Sequence, residues 1–158
     1  MSPPMPELEP RDANFAGRVH DSFARQPFMD TIGARITHLA AGEVDITMPN
    51  TPEVAQQHNY IHGGVLTAIA DSAAGYAALS IAAPGTGVLT TELKVNFLRT
   101  AEASAVVARG RVVKPGRTLT IVRCDLFGIR AHPETQLSEE THLLTGLVTM
   151  MHVDGLAD

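Results

Sequence analysis

The apolar and polar positions of this chain follow two different periods, and the change between them divides the sequence. Arg35–Leu39 and Glu43–Met48 predict two strands, which Ala41–Gly42 joins as a hairpin. From Gly64 to Ala83 almost every residue is small or apolar, which is typical of a helix that is buried on most sides. Pro84–Gly85 predicts the end of this helix.

The segments on either side of this helix complete the pattern. Apolar residues at four-residue steps predict a short helix over Asp12–Arg25, which Pro27 ends. After the long helix, apolar residues recur at every second position and predict strands over Glu92–Leu98, Ser104–Val113, Thr118–Phe127 and Leu143–Val153. Gly128–Thr141 predicts a polar loop, and Gly146 predicts a bulge. Together these elements predict an α+β fold in which an antiparallel sheet wraps around one long central helix.

Length and charge narrow the class of protein. The 158 residues suffice for one domain with a core. Residues 1–10 hold four prolines and predict a disordered lead, which leaves 11–158 as a single domain. The net charge of −5 disfavours a nucleic-acid partner. No leader and no membrane-length apolar run is visible, so we expect a cytoplasmic protein without a membrane partner.

The cysteine and histidine residues do not predict a metal site. Cys124 is the single cysteine and lies in a strand-like run, where we expect a small buried side chain. His58 and His62 are four residues apart, but no third ligand lies near them in sequence. We therefore expect neither a metal nor a separate cofactor.

Asp71 is the exception within the long apolar helix. Between residues 63 and 83 it is the only ionisable group apart from Tyr76. A buried carboxylate is costly unless it is paired, hydrogen-bonded or used in chemistry. Two interpretations stay open: a catalytic acid, or a structural carboxylate that faces a polar gap at the sheet edge and bonds to the backbone.

The residues before the helix offer a second candidate. His62-Gly63-Gly64 opens the helix, where free amides and the positive end of the dipole suit a polarised carbonyl oxygen. Two glycines also let a ligand approach the backbone closely, so Gly64 is a candidate substrate-binding residue. Gln56 and Asn59 lie in the preceding loop and are further candidates. The alternative is a flexible turn with solvated side chains.

The combination of these features is more specific than its parts. Residues 57–78 contain the His-Gly-Gly tripeptide and Asp71, and the strand Leu93–Arg99 follows. This arrangement resembles the phenylacetate-degradation-type (PaaI-like) acyl-CoA thioesterases of the hotdog superfamily. The resemblance extends in pattern from about Ile32 to Met151 and implies a hotdog fold and a thioester hydrolase.

The resemblance also implies roles for individual residues. The catalytic carboxylate of the family falls on Asp71, and its carbonyl-polarising amide falls on Gly63. The loop carboxamide falls on Gln56, where close relatives commonly carry Asn. A hydroxyl on the following strand maps to Thr90 rather than to its neighbour Thr91. The role of His62 is either to hold the loop or to support the oxyanion.

Chemistry alone leaves several mechanisms and functions open. Asp71 can act as the general base for water or as a nucleophile that forms a mixed anhydride. Some relatives carry Thr one helical turn after the acid, but this chain has Gly75 there. One alternative is a non-catalytic hotdog protein that binds acyl-CoA or has a regulatory role. The buried Asp71 argues against it, because binding alone does not need a buried acid. A hotdog dehydratase or hydratase is a third, although the Pro-Gly turn with histidine that it requires is absent.

The substrate and the assembly follow from the same assignment. The phosphates of CoA need cations, and Arg99, Lys114 and Arg117 form the nearest cluster in sequence. The alternative is that these three side chains only form a solvated rim. Gly63 and Asp71 are about 12 Å apart along one helix. One thioester cannot readily touch both, so we predict a homodimer whose sites are shared between two chains. The small residues Ala73, Ala74, Gly75 and Ala77 are expected at this interface, and the resemblance implies further assembly into a homotetramer.

Overall fold

The computed structural model describes residues 8–131 and 138–156 of the chain. Its helices are α1 (Phe15–Ala24), α2 (Pro27–Thr31) and α3 (Gly63–Leu79). A short 3-10 turn covers Pro52–Val54. Its strands are β1 (Arg35–Ala40), β2 (Glu43–Pro49), β3 (Thr86–Phe97), β4 (Ala105–Lys114), β5 (Leu119–Ala131) and β6 (Ser138–Asp154).

The six strands form one antiparallel sheet around α3. Their order is β1-β2-β4-β5-β6-β3, so β3 crosses over to lie at the edge beside β6. Helix α3 packs against strands β2 to β6 on the inner face of the sheet. This arrangement confirms the predicted α+β hotdog fold.

The small residues of α3 let the sheet approach closely. A Cβ atom at Gly110 of β4 would clash with the backbone carbonyl of Ala73, so glycine is required at this contact. Ala73, Ala74 and Ala77 are fully buried within their own chain. The expectation that these alanines form an interface between chains is therefore wrong, because they already pack against their own sheet.

Two polar side chains fasten the end of α3. The guanidinium of Arg18 donates to the carbonyl oxygens of Leu79 at 2.9 Å and Ala83 at 2.9 Å. Ser80 donates to the carbonyl of Ala77 and accepts from the amide of Gly42 in the hairpin turn. These bonds satisfy the free carbonyls of the helix end, which comes four residues before the predicted one at Ala83.

Local differences from the sequence prediction have physical causes. Pro27 ends α1 as expected but also starts α2, because proline fits the first turn of a helix. β3 begins at Thr86, six residues before the prediction. The predicted polar loop over Gly128–Thr141 is wrong where it is described, since β5 and β6 continue into it and pair there. Residues 138–141 of β6 are all polar and exposed, so no alternation marks that part of the strand.

The bulge expected at Gly146 is also wrong. Gly146 pairs regularly with Cys124 and Val95, and a Cβ there would crowd the carbonyl of Lys94 at 3.0 Å. Close approach, rather than an irregular register, explains this glycine. The register shift of β5 against β6 instead falls between Leu126 and Phe127.

Several further predictions concern single residues or the chain start. Cys124 is buried and free, as expected, and burial raises the pKa of its thiol. The predicted disordered lead lies outside the described residues up to position 7, whereas Leu8 already packs against the core. None of the described helices combines the length and apolar character that crossing a membrane requires.

Candidate active site

Asp71 and Thr90 form the centre of the candidate site. The Thr90 hydroxyl donates to Oδ1 of Asp71 at 2.6 Å. The thioether sulfur of Met150 lies 3.4 Å from the same hydroxyl, but a carboxylate is the stronger acceptor for its one proton. Asp71 is half-buried on α3, and Thr90 is exposed on the edge strand β3. The Asp71 carboxylate therefore accepts a hydrogen bond from a side chain. The structural interpretation of Asp71 had predicted a bond to the backbone instead.

A β-bulge turns Thr90 toward Asp71. The β3–β6 register shifts between Thr90 and Glu92, so Thr91 is the extra residue. The Thr91 hydroxyl donates instead to the carbonyl of Thr149 at 3.1 Å. Strict alternation from Leu93 would direct Thr91 inward and Thr90 outward. The bulge reverses this and brings the predicted hydroxyl residue to the acid.

His62 orders the start of α3. Its Nδ1 accepts the Gly64 amide at 2.9 Å, as an N-cap does. Because Nδ1 accepts, the neutral imidazole carries its proton on Nε2. The Gly63 amide donates to no acceptor among residues 8–131 and 138–156. At the helix start, the Gly64 amide is therefore capped, whereas the Gly63 amide before it is available to a ligand at the positive end of the dipole.

The loop before His62 is folded by its own polar groups. The side-chain oxygen of Gln56 accepts from the backbone amide of His58 at 2.7 Å. The backbone amide of Gln56 donates to the carbonyl of Tyr60 at 2.8 Å. Asn59 is exposed and has a positive φ of 65° in this turn. No group of three or more His, Cys, Asp or Glu side chains in the described part of the chain could hold a metal ion.

Within one chain, the start of α3 and Asp71 lie at different places. The eight-residue separation of Gly63 and Asp71 along α3 corresponds to about 12 Å. A Cβ at Gly63 would contact the Phe97 ring at 3.2 Å, so this ring covers the helix start from the end of β3. Asp71 instead contacts the first half of β3, where it accepts the hydrogen bond from Thr90. A carbonyl polarised by Gly63 does not reach Asp71 of the same chain.

The candidate CoA-binding cations do not form one cluster in a chain. Lys114 ends β4, and Arg117 follows in the exposed turn before β5. Arg99 follows the opposite end of β3 and donates to the carbonyl of His142 at 3.0 Å. The strand register separates the two groups by about seven residues of β6, or roughly 23 Å.

A cavity beside Asp71 contains residues that the sequence did not single out. It has a volume of about 240 Å³ and lies among α1, α3 and β3. Ser22 and Gln26 line it from the α1 side, and Tyr76 lines it from α3. Ser22 lies on α1, whereas Gln26 lies between α1 and α2, so no single helical spacing in the sequence signals that both line the cavity. The packing of these residues beside α3 brings them to Asp71.

Comparisons with known proteins agree with this fold. Residues 58–128 match the thioesterase superfamily, a stretch that includes Gly63, Asp71 and Thr90 and leaves out Gln56. A thioesterase family protein from Silicibacter pomeroyi has 43% sequence identity and a TM-score of 0.84, and the match covers 89% of this chain and 99% of that one.

Two further similarities are more distant. The PaaI protein of the phenylacetic acid degradation operon of E. coli has a TM-score of 0.77 at 19% identity, over 92% of this chain and 97% of that one, which shows a shared fold. The 1,4-dihydroxy-2-naphthoyl-CoA hydrolase of Listeria monocytogenes is 28% identical over 92 residues, which are 58% of this chain and 75% of that protein.

The fold and the comparisons together define a hotdog-fold thioester hydrolase. The chain belongs to the thioesterase superfamily.

Proposed function

We propose that this enzyme hydrolyses an acyl-CoA thioester to the free acid and CoA, with Asp71 as its catalytic carboxylate. The observation that carries the proposal is the 2.6 Å bond from Thr90 to Asp71 at the edge of a cavity. An ionisable group that is half-buried, oriented by a partner and open to a cavity is a functional-site candidate. The Listeria relative is named as a hydrolase of a CoA thioester, which supports CoA as the leaving thiol.

Asp71 has two chemically balanced ways to act. As a general base it takes a proton from water while the oxygen attacks the carbonyl carbon, and the CoA thiolate then leaves. As a nucleophile it attacks the carbon itself, expels the thiolate and leaves a mixed anhydride that water hydrolyses. In both cases Thr90 holds Oδ1, so Oδ2 is the oxygen that takes the proton or forms the bond.

The Gly63 amide supplies the polarisation that either route needs. Negative charge develops on the thioester oxygen as the carbon becomes tetrahedral, and an amide donor stabilises that charge. The Gly63 amide has no acceptor in the described part of its own chain, and the capping of Gly64 by His62 holds the helix start in place. His62 is therefore a positioning residue in this proposal.

A shared site between two chains follows from the edge position of β3. Phe97, which covers Gly63, ends this strand, whereas Thr90, which holds Asp71, lies near its beginning. Antiparallel pairing with β3 of a second copy reverses the direction of the strand. Gly63 of one copy then comes to the Asp71 end of the other, and the two-fold symmetry makes two such sites. We propose this homodimer as the active unit, with a homotetramer as its further assembly.

The same pairing gives roles to the remaining polar residues. It brings Arg99 of one copy to the end where Lys114 and Arg117 of the other lie, so cations at opposite ends of one chain share one end of the dimer. These residues would bind the CoA phosphates. Gln56 enters on the Gly63 side, where its side-chain nitrogen Nε2, unlike its backbone amide, is available to orient water or the thioester.

Release of free CoA from a panel of acyl-CoAs tests the activity. We expect turnover by the purified enzyme and loss of turnover in Asp71→Asn. A binding or regulatory protein would bind acyl-CoA without releasing CoA, and a hydratase or dehydratase would change the acyl chain but leave the thioester intact. Either result would exclude the proposed function.

Subunit mixing tests the shared site. Asp71→Asn and Gln56→Ala are each expected to be nearly inactive, and mixed dimers regain one site with an intact Gln56 and Asp71. Activity should therefore partly return after verified subunit exchange. A site built within one chain leaves every copy damaged, so an absence of recovery would rule out the shared arrangement.

A further inference from the structure

His152 holds the backbone on both sides of Arg117. Its own backbone amide donates to the carbonyl of Thr118 at 2.8 Å. Its side-chain Nε2 lies 2.8 Å from the Thr120 hydroxyl, and that hydroxyl accepts from the Gly116 amide at 3.4 Å. Gly116 and Thr118 are the two neighbours of Arg117 in the chain, so one residue of β6 ties down both of them.

The Thr120 hydroxyl is directed by its two partners. Thr120 is fully buried, so its hydroxyl must find its partners within the protein. Because the oxygen accepts from Gly116, the one hydroxyl proton goes to His152 Nε2, and the neutral imidazole carries its own proton on Nδ1. The 3.4 Å bond from Gly116 is long, so it depends on a hydroxyl that His152 keeps from rotating.

The turn between β4 and β5 has an irregular, closely folded backbone. A Cβ at Gly116 would clash with the carbonyl oxygen of Leu119, so the chain folds tightly upon itself there. The β4–β5 register shifts between Val112 and Lys114, which makes Val113 an extra residue. The bonds from β6 therefore fix how this bulged turn lies on the sheet.

The Arg117 guanidinium is open to a ligand although its backbone is held. The residue is exposed, and within residues 8–131 and 138–156 its side chain makes no hydrogen bond or ion pair. An arginine side chain loses rotamer entropy when it binds a phosphate, and a mobile backbone would add to that loss. A backbone that is fixed on both sides removes the second loss before binding.

We propose that His152 and Thr120 are positioning residues for CoA, which present Arg117 to a phosphate group of the substrate. The inference rests on the proposed function, since it assumes that Arg117 binds a CoA phosphate. A guanidinium binds a phosphate through two parallel N–H groups, and this geometry requires a defined position of the residue. Neither positioning residue touches the reacting carbonyl, so their loss should change binding and not the chemical step.

Paired substrates that differ only in the phosphate-bearing nucleotide test this role. The probes are the CoA thioester that the enzyme hydrolyses fastest and the pantetheine thioester of the same acid, which has the same thiol but no phosphate. Thr120→Val, which nearly keeps the side-chain shape, should raise KM for the CoA thioester about two- to tenfold with little change in kcat. The kcat/KM of the pantetheine thioester should stay at its wild-type value. Thr120→Ser keeps the hydroxyl and should restore the wild-type KM.

Further variants assign the effect to Arg117. In an Arg117→Ala background, Thr120→Val should raise KM no further, because the side chain that it positions is gone. His152→Leu should also raise KM for the CoA thioester and serves if Thr120→Val does not fold, since His152 is only half-buried. Thr86→Val is the matched control with an unchanged KM, because its buried hydroxyl bonds to Asp154 at 3.0 Å and not to the turn.

The outcomes separate this inference from the proposed function. If Thr120→Val leaves KM unchanged, lowers kcat/KM for both thioesters by one factor, or adds its effect to that of Arg117→Ala, the inference fails and the function stands. If no CoA thioester is hydrolysed, the function fails, and calorimetric titration with CoA decides the inference alone. Weaker CoA binding by Thr120→Val would then support it, and wild-type affinity would overturn it.

Discussion

The hydroxyl of Thr90 lies 2.6 Å from Oδ1 of Asp71, although 19 positions of the sequence separate the two residues. This bond joins the middle of α3 to the edge strand β3 and gives the carboxylate one fixed orientation. It also leaves the second carboxylate oxygen for chemistry. The first prediction tests this pair.

Asp71→Asn should lower kcat by about 10²–10⁴-fold, because the amide is nearly isosteric but cannot act as a base. Thr90→Val should cause a smaller loss, since the carboxylate stays but is no longer held. Steady-state release of CoA measures both, with Asp30→Asn on the exposed part of α2 as a matched control. An Asp71→Asn enzyme that keeps more than about a tenth of wild-type turnover would contradict the assignment.

Arg117→Ala should raise KM for the CoA substrate with little change in kcat, because a phosphate contact stabilises the ground state and the transition state alike. Added salt should weaken binding by the wild-type enzyme. Arg35→Ala is the control, since Arg35 is exposed on β1, which forms the edge of the sheet opposite β3. An unchanged KM in Arg117→Ala would remove this residue from the site.

Arg18→Met should destabilise the protein by about 2 kcal/mol, because several carbonyls at the end of α3 lose a charged donor. The Arg18 side chain is only 11% exposed, so solvent replaces these bonds poorly. Denaturant unfolding of Arg18→Met and of the exposed Arg25→Met measures the difference. Equal stability of the two variants would show that the Arg18 contacts contribute little.

Gly110→Ala and Gly75→Ala should change stability in opposite directions. At Gly110 the new Cβ meets the backbone of Ala73, which cannot move aside, so we expect a loss of about 3 kcal/mol. At Gly75 the Cβ makes an ordinary contact and alanine favours the helix, so we expect a gain of about 0.5–1 kcal/mol. Thermal unfolding distinguishes them, and a stable Gly110→Ala protein would contradict the described packing of β4 on α3.

His152 should make stability depend on pH below neutrality. Burial, with a smaller effect of the Arg11 charge, lowers the pKa of His152 from its usual 6.5, while Asp154 opposes this shift. The unfolded chain therefore binds a proton more readily than the folded one. The free energy of unfolding should fall as the pH drops from about 6.5 through the lowered pKa of the folded state.

The control for the pH dependence is the variant His152→Gln, because glutamine does not titrate in this pH range. His152→Gln keeps a polar group near Thr120, whose hydroxyl lies 2.8 Å from His152 Nε2. The variant should show a shallower decrease in stability between about pH 7 and pH 5. Parallel pH profiles of the variant and the wild-type protein would show that His152 does not contribute.

The recognisable parts of the site are local in sequence. His62, Gly63 and Asp71 lie on one helix, and the isolation of Asp71 among small apolar residues is visible without a structure. Periodicity likewise predicts the long helix and most of the strands, because each period reflects which face of an element is buried. It fails at the start of β6, where residues 138–141 are all polar and exposed.

The amino-acid sequence by itself therefore determined the fold class and the helix-borne half of the site, since both depend on residues within a few turns of one another. Only the tertiary structure decided which hydroxyl meets Asp71, because a bulge at Thr91 sets the face on which Thr90 lies. It also decided that Arg99 and Arg117 lie at opposite ends of the sheet, since pairing between distant strands, not distance along the chain, fixes their separation.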